Sequence, residues 1–376
     1  ADVPNYALQR PRLAQGEFLG GNNGGGDLLS QNIDALVECE GGCSLPFIAV
    51  LLLASALAVA SVALAVPPPR TRVSMDRDLL EVTIPQLEHF YAQHKYTVTE
   101  VVQWHLARIH RYDGIYRAIE TVMTSEALAV AAQEDAQAAQ GHVRRGPLWG
   151  VPVVIKANTS IAGQLTTDGW SGFTIPGHEL VAPRDATVVA KLRAAGAILI
   201  GHSNMPDFAN SDTNRSSSFG RTGNAYDVRF SPGGSSGGTV TAVTANMAVL
   251  GNGTDTGNSI RMPAATSALI GVFPTRGLVS TAGIAPLDWL LDNTGPIART
   301  VTDAAIALSV MAGEDPLDPR TAEFTGHAQP GPFTRYLKTD ALKGKRFAVP
   351  AFILKGAGIP FHGLPAEVPD ELAVQQ

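Results

Sequence analysis

At the centre of the chain lies Ser231-Pro-Gly-Gly-Ser-Ser-Gly-Gly238, a stretch in which four glycines surround a pair of serines. Glycine permits backbone angles that other residues avoid, so such a stretch can bring main-chain N–H groups and a hydroxyl close to a ligand. A flexible Gly/Ser linker has a similar composition. However, residues 239–247 are apolar and compatible with a helix, and they begin directly after the stretch. We therefore interpret the stretch as a structured loop that leads into a helix.

The segments on both sides of this loop alternate between helical and strand patterns. A helix is predicted after the capping-box sequence Thr97-Val-Thr-Glu100. Further helices are predicted at about residues 126–140, 187–195, 238–247 and 302–311, and strands at residues 151–155, 197–200 and 248–250. This alternation predicts an α/β fold with a mixed, mostly parallel central sheet that is covered by helices on both faces.

Lys156 directly follows the predicted strand at residues 151–155. An ammonium group at the end of a buried strand is costly to desolvate, so its pKa should fall toward the range in which the amine acts as a base. A lysine that simply reaches solvent at the strand end is the alternative. The pattern makes Lys156 a candidate general base.

A second glycine-rich stretch, Gly251-Asn-Gly-Thr-Asp-Thr-Gly-Asn-Ser-Ile-Arg-Met-Pro263, follows the predicted strand at residues 248–250. We interpret it as a turn at the exit of that strand. Backbone N–H groups near Ser259 could form an oxyanion hole for a tetrahedral intermediate. An ordinary strand-to-loop exit is the alternative.

In this order and separation, three segments resemble the amidase signature family: Gly150-Val-Pro-Val-Val-Ile-Lys156, Ser231-Pro-Gly-Gly-Ser-Ser-Gly-Gly238 and Gly253-Thr-Asp-Thr-Gly-Asn-Ser-Ile-Arg-Met-Pro-Ala264. The resemblance extends from about Leu80 to about Pro350. Supporting segments are Ala186-Thr-Val-Val-Ala190, Ala194-Ala-Gly-Ala197, Ser203-Asn-Met205, Phe219-Gly-Arg-Thr-Gly-Asn224, Pro274-Thr-Arg-Gly277 and Gly295-Pro-Ile-Ala-Arg-Thr-Val-Thr-Asp303.

The resemblance implies an amidase fold and hydrolysis of carboxylic amide bonds through an acyl-enzyme. It implies that Ser259 is the nucleophile, that Ser235 is a bridging serine preceded by a cis peptide bond, and that Lys156 is the base. It further implies a small-molecule amide substrate and neither a metal nor an organic cofactor.

The same resemblance assigns supporting roles around this triad. Backbone N–H groups near Ser259 are expected to form the oxyanion hole, and residues that order the loop are expected to surround it. The oxyanion-hole candidates are Thr256, Gly257 and Asn258, and the supporting candidates are Asp255, Arg261 and Ser236.

Two positions depart from the family pattern, which usually has Asp after the catalytic lysine and Gly before the nucleophile. The chain has Ala157 and Asn258 there. Asn is the non-glycine residue that best tolerates a positive φ, so the loop geometry can survive. The missing carboxylate at position 157 should lower the pKa of Lys156. These departures keep a non-catalytic binding or scaffold protein open as an alternative, beside an amidotransferase-type subunit.

The two ends of the chain differ from its body. Residues 1–44 are a low-complexity leader that contains Cys39 and Cys43, and residues 45–66 carry no charge over 22 positions. As a helix at about 1.5 Å per residue, this second segment would span one bilayer core. We expect residues 67–376 to form the amidase domain. Family members usually continue well beyond a segment like residues 342–349, so we expect an incomplete C-terminal part.

The 376 residues carry a net charge of −6 without a long basic run, which argues against a nucleic-acid partner. The hydrophobic segment predicts either a signal peptide or a membrane anchor, so membrane association and an anchored or exported protein are expected. If translation starts near Met75, a cytoplasmic protein is expected instead. A homodimer remains open.

Overall fold

The computed structural model describes residues 72–141, 146–324 and 331–348. The leader, the hydrophobic segment at residues 45–66, both cysteines and the chain from residue 349 onward lie outside the described residues. Among the residues described, no helix is both long and apolar enough to cross a membrane.

Helices and strands alternate along the described chain as the sequence patterns predict. The α-helices are α1 (Arg72–Leu79), α2 (Ile84–Ala92), α3 (Val98–Tyr116), α4 (Thr124–Ala139), α5 (Thr187–Ala194), α6 (Gly237–Thr244), α7 (Arg261–Thr266) and α8 (Val301–Met311). The strands are β1 (Ile119–Val122), β2 (Val151–Lys156), β3 (Ala197–Ser203), β4 (Arg215–Ser216), β5 (Gly220–Arg221), β6 (Leu250–Asp255), β7 (Ile270–Gly271) and β8 (Asn293–Ala298).

The central sheet has six strands in the order β1-β3-β2-β6-β8-β7, and β4 pairs with β5 separately. Strand β2 runs parallel to both β3 and β6, whereas β8 is antiparallel to β6. Because β7 is antiparallel to β8, it points the same way as β2, and only β1 and β8 of this sheet run the other way. The mixed, mostly parallel sheet predicted from the sequence is thereby confirmed.

Helices α5 and α6 cover opposite faces of this sheet. The chain passes from β2 through α5 to β3 on one side, and then from β3 through α6 to β6 on the other side. Crossovers between parallel strands are right-handed, so two crossovers in opposite directions place their helices on opposite faces. Helix α5 also packs against α8, and α6 packs against β2 and β6.

Local sequence signals explain where α3 begins and where α6 ends. Thr97 Oγ1 accepts the N–H of Glu100 at 3.1 Å, and the Glu100 carboxylate accepts the N–H of Thr97 at 2.9 Å, which confirms the predicted capping box. Helix α6 ends at Thr244, three residues earlier than predicted, because Asn246 adopts a left-handed conformation with φ of 59°.

One prediction about the sheet is wrong: Gly251-Asn-Gly-Thr-Asp255 is not a turn but most of strand β6. Gly251 allows helix α6 and the neighbouring strand β2 to pack closely against this strand. A Cβ atom at Gly251 would lie 2.6 Å from Thr239 Cγ2 of α6 and 2.8 Å from Val154 Cγ2 of β2. The composition resembles a turn, but the glycines serve the packing of a buried strand.

The parallel strands β2 and β6 end side by side at one edge of the sheet. Lys156 is the last residue of β2 and Asp255 is the last residue of β6. In open α/β sheets, ligands bind outside the carboxyl ends of the strands. This edge is therefore where the fold predicts a functional site.

Candidate active site

Lys156 lies at the centre of a buried group of hydroxyls. Its side chain is fully buried, and Nζ donates to Ser235 Oγ at 2.7 Å, to Thr254 Oγ1 at 2.7 Å and to Ser236 Oγ at 3.1 Å. Both serines are fully buried as well. The structure thus brings the candidate base and the candidate bridging serine into direct hydrogen-bond contact.

Burial lowers the pKa of Lys156 to about 7, because the protein interior disfavours its charged form. The carboxylates of Asp168, Asp255 and Asp292 act in the opposite direction but do not offset the burial. Near neutral pH a large share of Lys156 is therefore a free amine, which is the form that can accept a proton. The lowered pKa agrees with the expectation for a lysine at the end of a buried strand.

The loop that carries Ser235 is held tightly and is not a linker. The Gly234–Ser235 peptide bond is cis, the conformation that the family resemblance implies for the bridging serine. A Cβ atom at Gly234 would lie 2.4 Å from the Ser211 carbonyl oxygen, so only glycine fits there. The loop runs directly into α6, which begins two residues after Ser235.

Ser259 precedes α7 and faces the same loop. Ser259 is 7% exposed, and its carbonyl oxygen accepts a hydrogen bond from the N–H of Ser236 at 3.2 Å. Within the part of the chain that the structure describes, no hydrogen bond joins Ser259 Oγ to Ser235 Oγ. The backbone contact holds the two loops together, although the two serine hydroxyls are not hydrogen-bonded to each other.

The segment at residues 256–259 offers free main-chain donors. None of its backbone N–H groups has a hydrogen-bond partner among the described residues. Side chains order the segment instead: the Thr256 hydroxyl donates to Asp292, and the Arg261 guanidinium donates to the Gly257 carbonyl. Free N–H groups beside a buried serine are the arrangement that an oxyanion hole requires.

Asp255 and Arg261 hold the start of α7. The buried Asp255 carboxylate accepts from the N–H groups of Ile260 at 2.9 Å and Arg261 at 3.2 Å, and it pairs with the Arg261 guanidinium at 2.9 Å. Burial alone would raise the pKa of Asp255, but these hydrogen bonds hold it below its ordinary value. The two residues therefore order the loop that carries Ser259.

Replacing Asp255 by alanine is expected to lower the free energy of unfolding by about 3 kcal/mol, because one buried N–H group, one partly buried N–H group and the Arg261 charge lose their acceptor. Urea denaturation at pH 7 measures this change. Asp227→Ala is the matched control, since Asp227 forms an exposed ion pair with Arg229. A midpoint that moves as much in Asp227→Ala as in Asp255→Ala would contradict the assignment.

Sequence reasoning missed Thr254, which contacts Lys156 as closely as Ser235 does. Thr254 Oγ1 also accepts from Asn158 Nδ2 at 3.1 Å. Had residues 250–255 been interpreted as a strand, alternation would have placed Thr254 on one face with Asn252, whose Oδ1 accepts the N–H of Lys156 at 2.9 Å.

A cavity of about 130 Å³ opens beside this site, and its lining includes Thr254, which contacts Lys156, and Thr256 of the segment with free N–H groups. Its wall is partly apolar and partly charged. The other lining residues include Asn158, Ala209, Thr281, Ile284, Pro286, Leu287, Trp289, Asp292, Leu317, Asp318 and Arg320. Within the described ranges, no group of three or more His, Cys, Asp or Glu side chains is placed to hold a metal ion.

Comparison with known proteins identifies the class to which this fold and site belong. The protein-family model described as Amidase matches residues 100–372. A glutamyl-tRNA(Gln) amidotransferase subunit of Alkaliphilus metalliredigens (strain QYMF) is 39% identical over 282 residues, which cover 74% of this chain and 55% of the relative. The chain belongs to the amidase family.

Solved structures agree with this classification. The native peptide amidase of Stenotrophomonas maltophilia is 36% identical, with a TM-score of 0.66 over 70% of this chain and 54% of the other. An amidase family protein of Bacillus anthracis str. Ames is 30% identical, with a TM-score of 0.68 over 74% of this chain and 56% of the other. The chain thus spans about half the length of the relatives that it matches.

Proposed function

We propose that this protein hydrolyses carboxylic amide bonds with Ser259 as nucleophile, Ser235 as proton bridge and Lys156 as base. The observation that carries the proposal is the 2.7 Å hydrogen bond between Lys156 Nζ and Ser235 Oγ, together with a Lys156 pKa of about 7. A buried amine that is partly neutral at pH 7 can accept a proton from the hydroxyl that it contacts. Similarity to a peptide amidase supports the same reaction class.

Each group has one step to perform. Neutral Lys156 takes the proton of Ser235, and Ser235 takes the proton of Ser259, whose Oγ then attacks the amide carbonyl. The main-chain N–H groups of residues 256–259 stabilise the negative oxygen of the tetrahedral intermediate. The proton returns along the same path to the leaving amine. The same relay then takes a proton from water, which hydrolyses the acyl-enzyme, and the proton returns to Ser259.

Labelling with a fluorophosphonate probe tests the proposal without knowledge of the substrate. The full chain is treated with the probe, the adduct is mapped by mass spectrometry, and a panel of aliphatic, aryl and peptide C-terminal amides is assayed in parallel. We expect an adduct at Ser259 that is lost in Ser259→Ala. A folded chain that neither labels nor hydrolyses any amide would favour a non-catalytic protein, and an adduct at Ser235 would reverse the roles of the two serines.

Thr254→Val is expected to slow labelling of Ser259 about 10-fold to 100-fold, because the base loses one of its two closest contacts. Valine has nearly the shape of threonine, so the fold should persist. Thr166→Val is the matched control, since Thr166 is also buried and its Oγ1 has no hydrogen-bond partner in the described residues. Equal labelling rates in wild type and Thr254→Val would show that this hydroxyl does not position Lys156.

An amidotransferase-type subunit is the second candidate function, and 39% identity to a glutamyl-tRNA(Gln) amidotransferase subunit is the observation that favours it. A protein of this type is expected to release ammonia from glutamine only together with partner proteins. Assaying the isolated chain with glutamine and with the amide panel separates the two functions. Hydrolysis of simple amides by the chain alone supports the amidase.

A further inference from the structure

Asp168 is a buried carboxylate that the proposed mechanism does not use. The residue is 4% exposed, and its Oδ1 has no hydrogen-bond partner among the residues that the structure describes. Buried carboxylates are normally paired or hydrogen-bonded, because burial of an isolated charge is costly. Its backbone has a positive φ of 48°, a conformation that Asp adopts more readily than most residues with a side chain. The cost of the buried oxygen without a partner indicates a role for the side chain.

The backbone of Asp168 lies beside the residue that follows the candidate base. Its N–H donates to the carbonyl of Ala157 at 3.1 Å, and its own carbonyl accepts the N–H of Phe208 at 2.8 Å. Position 157 is where the family pattern has a carboxylate and this chain has alanine. The backbone of Asp168 therefore lies against the one position from which the sequence has lost a carboxylate.

The charges of Asp168 and Lys156 act on each other more strongly than any other charge acts on either of them. Burial raises the pKa of Asp168 to about 7, and Lys156 is the main group that opposes this rise. Of the other carboxylates that act on Lys156, Asp255 is paired with Arg261, and Asp292 accepts from Thr256. The groups that raise the pKa of Asp168 further are Asp207, Asp292 and Glu120.

We propose that Asp168 is a positioning residue that acts as the carboxylate partner of Lys156 and replaces the carboxylate missing at position 157. The inference rests on the function proposed above. When Lys156 carries a proton, the Asp168 charge stabilises the ammonium group inside a site that otherwise disfavours it. Asp168 thereby sets the pH at which Lys156 becomes a base.

The pH dependence of Ser259 labelling tests this role. Second-order rate constants for a fluorophosphonate probe are measured from pH 5 to pH 10 on the full chain of wild type, Asp168→Asn, and the double variant Ala157→Asp/Asp168→Asn. Loss of the Asp168 charge should lower the pKa of Lys156. The acidic limb of the labelling rate plotted against pH should therefore move down by about 1 pH unit in Asp168→Asn. The double variant should move it back toward wild type.

Asp207→Asn is the matched control, because it removes a nearby charge that acts on Asp168 but is not among the groups that act on Lys156. Its acidic limb should follow that of wild type. Circular dichroism checks that each variant is folded. If Asp168→Asn does not fold alone, the double variant is compared with Ala157→Asp, and loss of the Asp168 charge should then place the acidic limb of the double variant below that of Ala157→Asp.

The outcomes separate this inference from the function on which it rests. If wild type is folded and does not label, the proposed hydrolase fails and the role of Asp168 fails with it. If wild type labels at Ser259 and the limb of Asp168→Asn coincides with that of wild type, the hydrolase stands and the carboxylate partnership is overturned. Coincident limbs in Ala157→Asp and in the double variant overturn it in the same way.

Discussion

Ser259→Ala is expected to lower kcat/KM for amide hydrolysis by about 10⁴-fold or more, since removal of a nucleophile eliminates the covalent route and leaves only binding and oxyanion stabilisation. Steady-state kinetics on the best substrate of the amide panel measures the loss. Lys156 and Ser235 remain in place in this variant, so the fold of the buried cluster should not change. The free energy of unfolding should therefore stay close to that of wild type.

Ser267→Ala provides a control of the same chemistry. Ser267 is fully buried, and its Oγ has no hydrogen-bond partner among the described residues, so its removal changes one buried hydroxyl outside the site. Its kcat/KM should equal that of wild type. If Ser259→Ala retains more than about one tenth of wild-type activity, Ser259 is not the nucleophile, and Ser235 becomes the candidate.

The family resemblance predicted that Lys156 and Ser235 belong to one site, whereas the order of the strands could not be predicted. Lys156 ends a predicted strand, and Ser235 lies in a loop that leads into a helix. The structure places their side chains 2.7 Å apart. The alternation of helices and strands was predicted from the residues themselves, because it depends on regular hydrophobic periodicity.

The contribution of Thr254 could not be predicted, because glycine and aspartate are rare in strands and residues 251–255 were interpreted as a turn. The role of Asp168 was missed for another reason. Asp168 lies eleven positions after Ala157 along the chain, and the contact between them depends on a loop path with a positive φ at Asp168. The hydrophobic periodicity of a sequence predicts helices and strands, but it does not predict the path of a loop. The expectation that Ala157 leaves Lys156 without a nearby carboxylate therefore did not take Asp168 into account.

Lys156→Met is expected to reduce activity and to change stability in a pH-dependent way. Loss of the general base should lower kcat/KM by about 10³-fold. The pKa of Lys156 falls from 10.5 to about 7 on folding, so at pH 7 its burial costs on the order of 4 kcal/mol. Methionine fills similar space without this cost, but the contacts to Ser235 and Thr254 are lost, at about 1 kcal/mol each. A net gain of about 2 kcal/mol at pH 7 is expected.

The sign of this gain should depend on pH. Between pH 7 and pH 10.5 the unfolded wild-type chain still binds a proton that the folded chain has released, so wild-type stability rises with pH across this window. The advantage of Lys156→Met should therefore shrink and then reverse at about pH 9, which urea denaturation at pH 6, 8 and 10 would detect. Lys191→Met is the control: Lys191 donates to the carbonyls of residues 311–313, so its loss should destabilise the protein at each pH and leave activity unchanged.

If the free energies of unfolding of wild type and Lys156→Met change in parallel with pH, Lys156 is not buried in a state that disfavours its charge. Lys156 would then not have the lowered pKa that the proposed mechanism requires of its base.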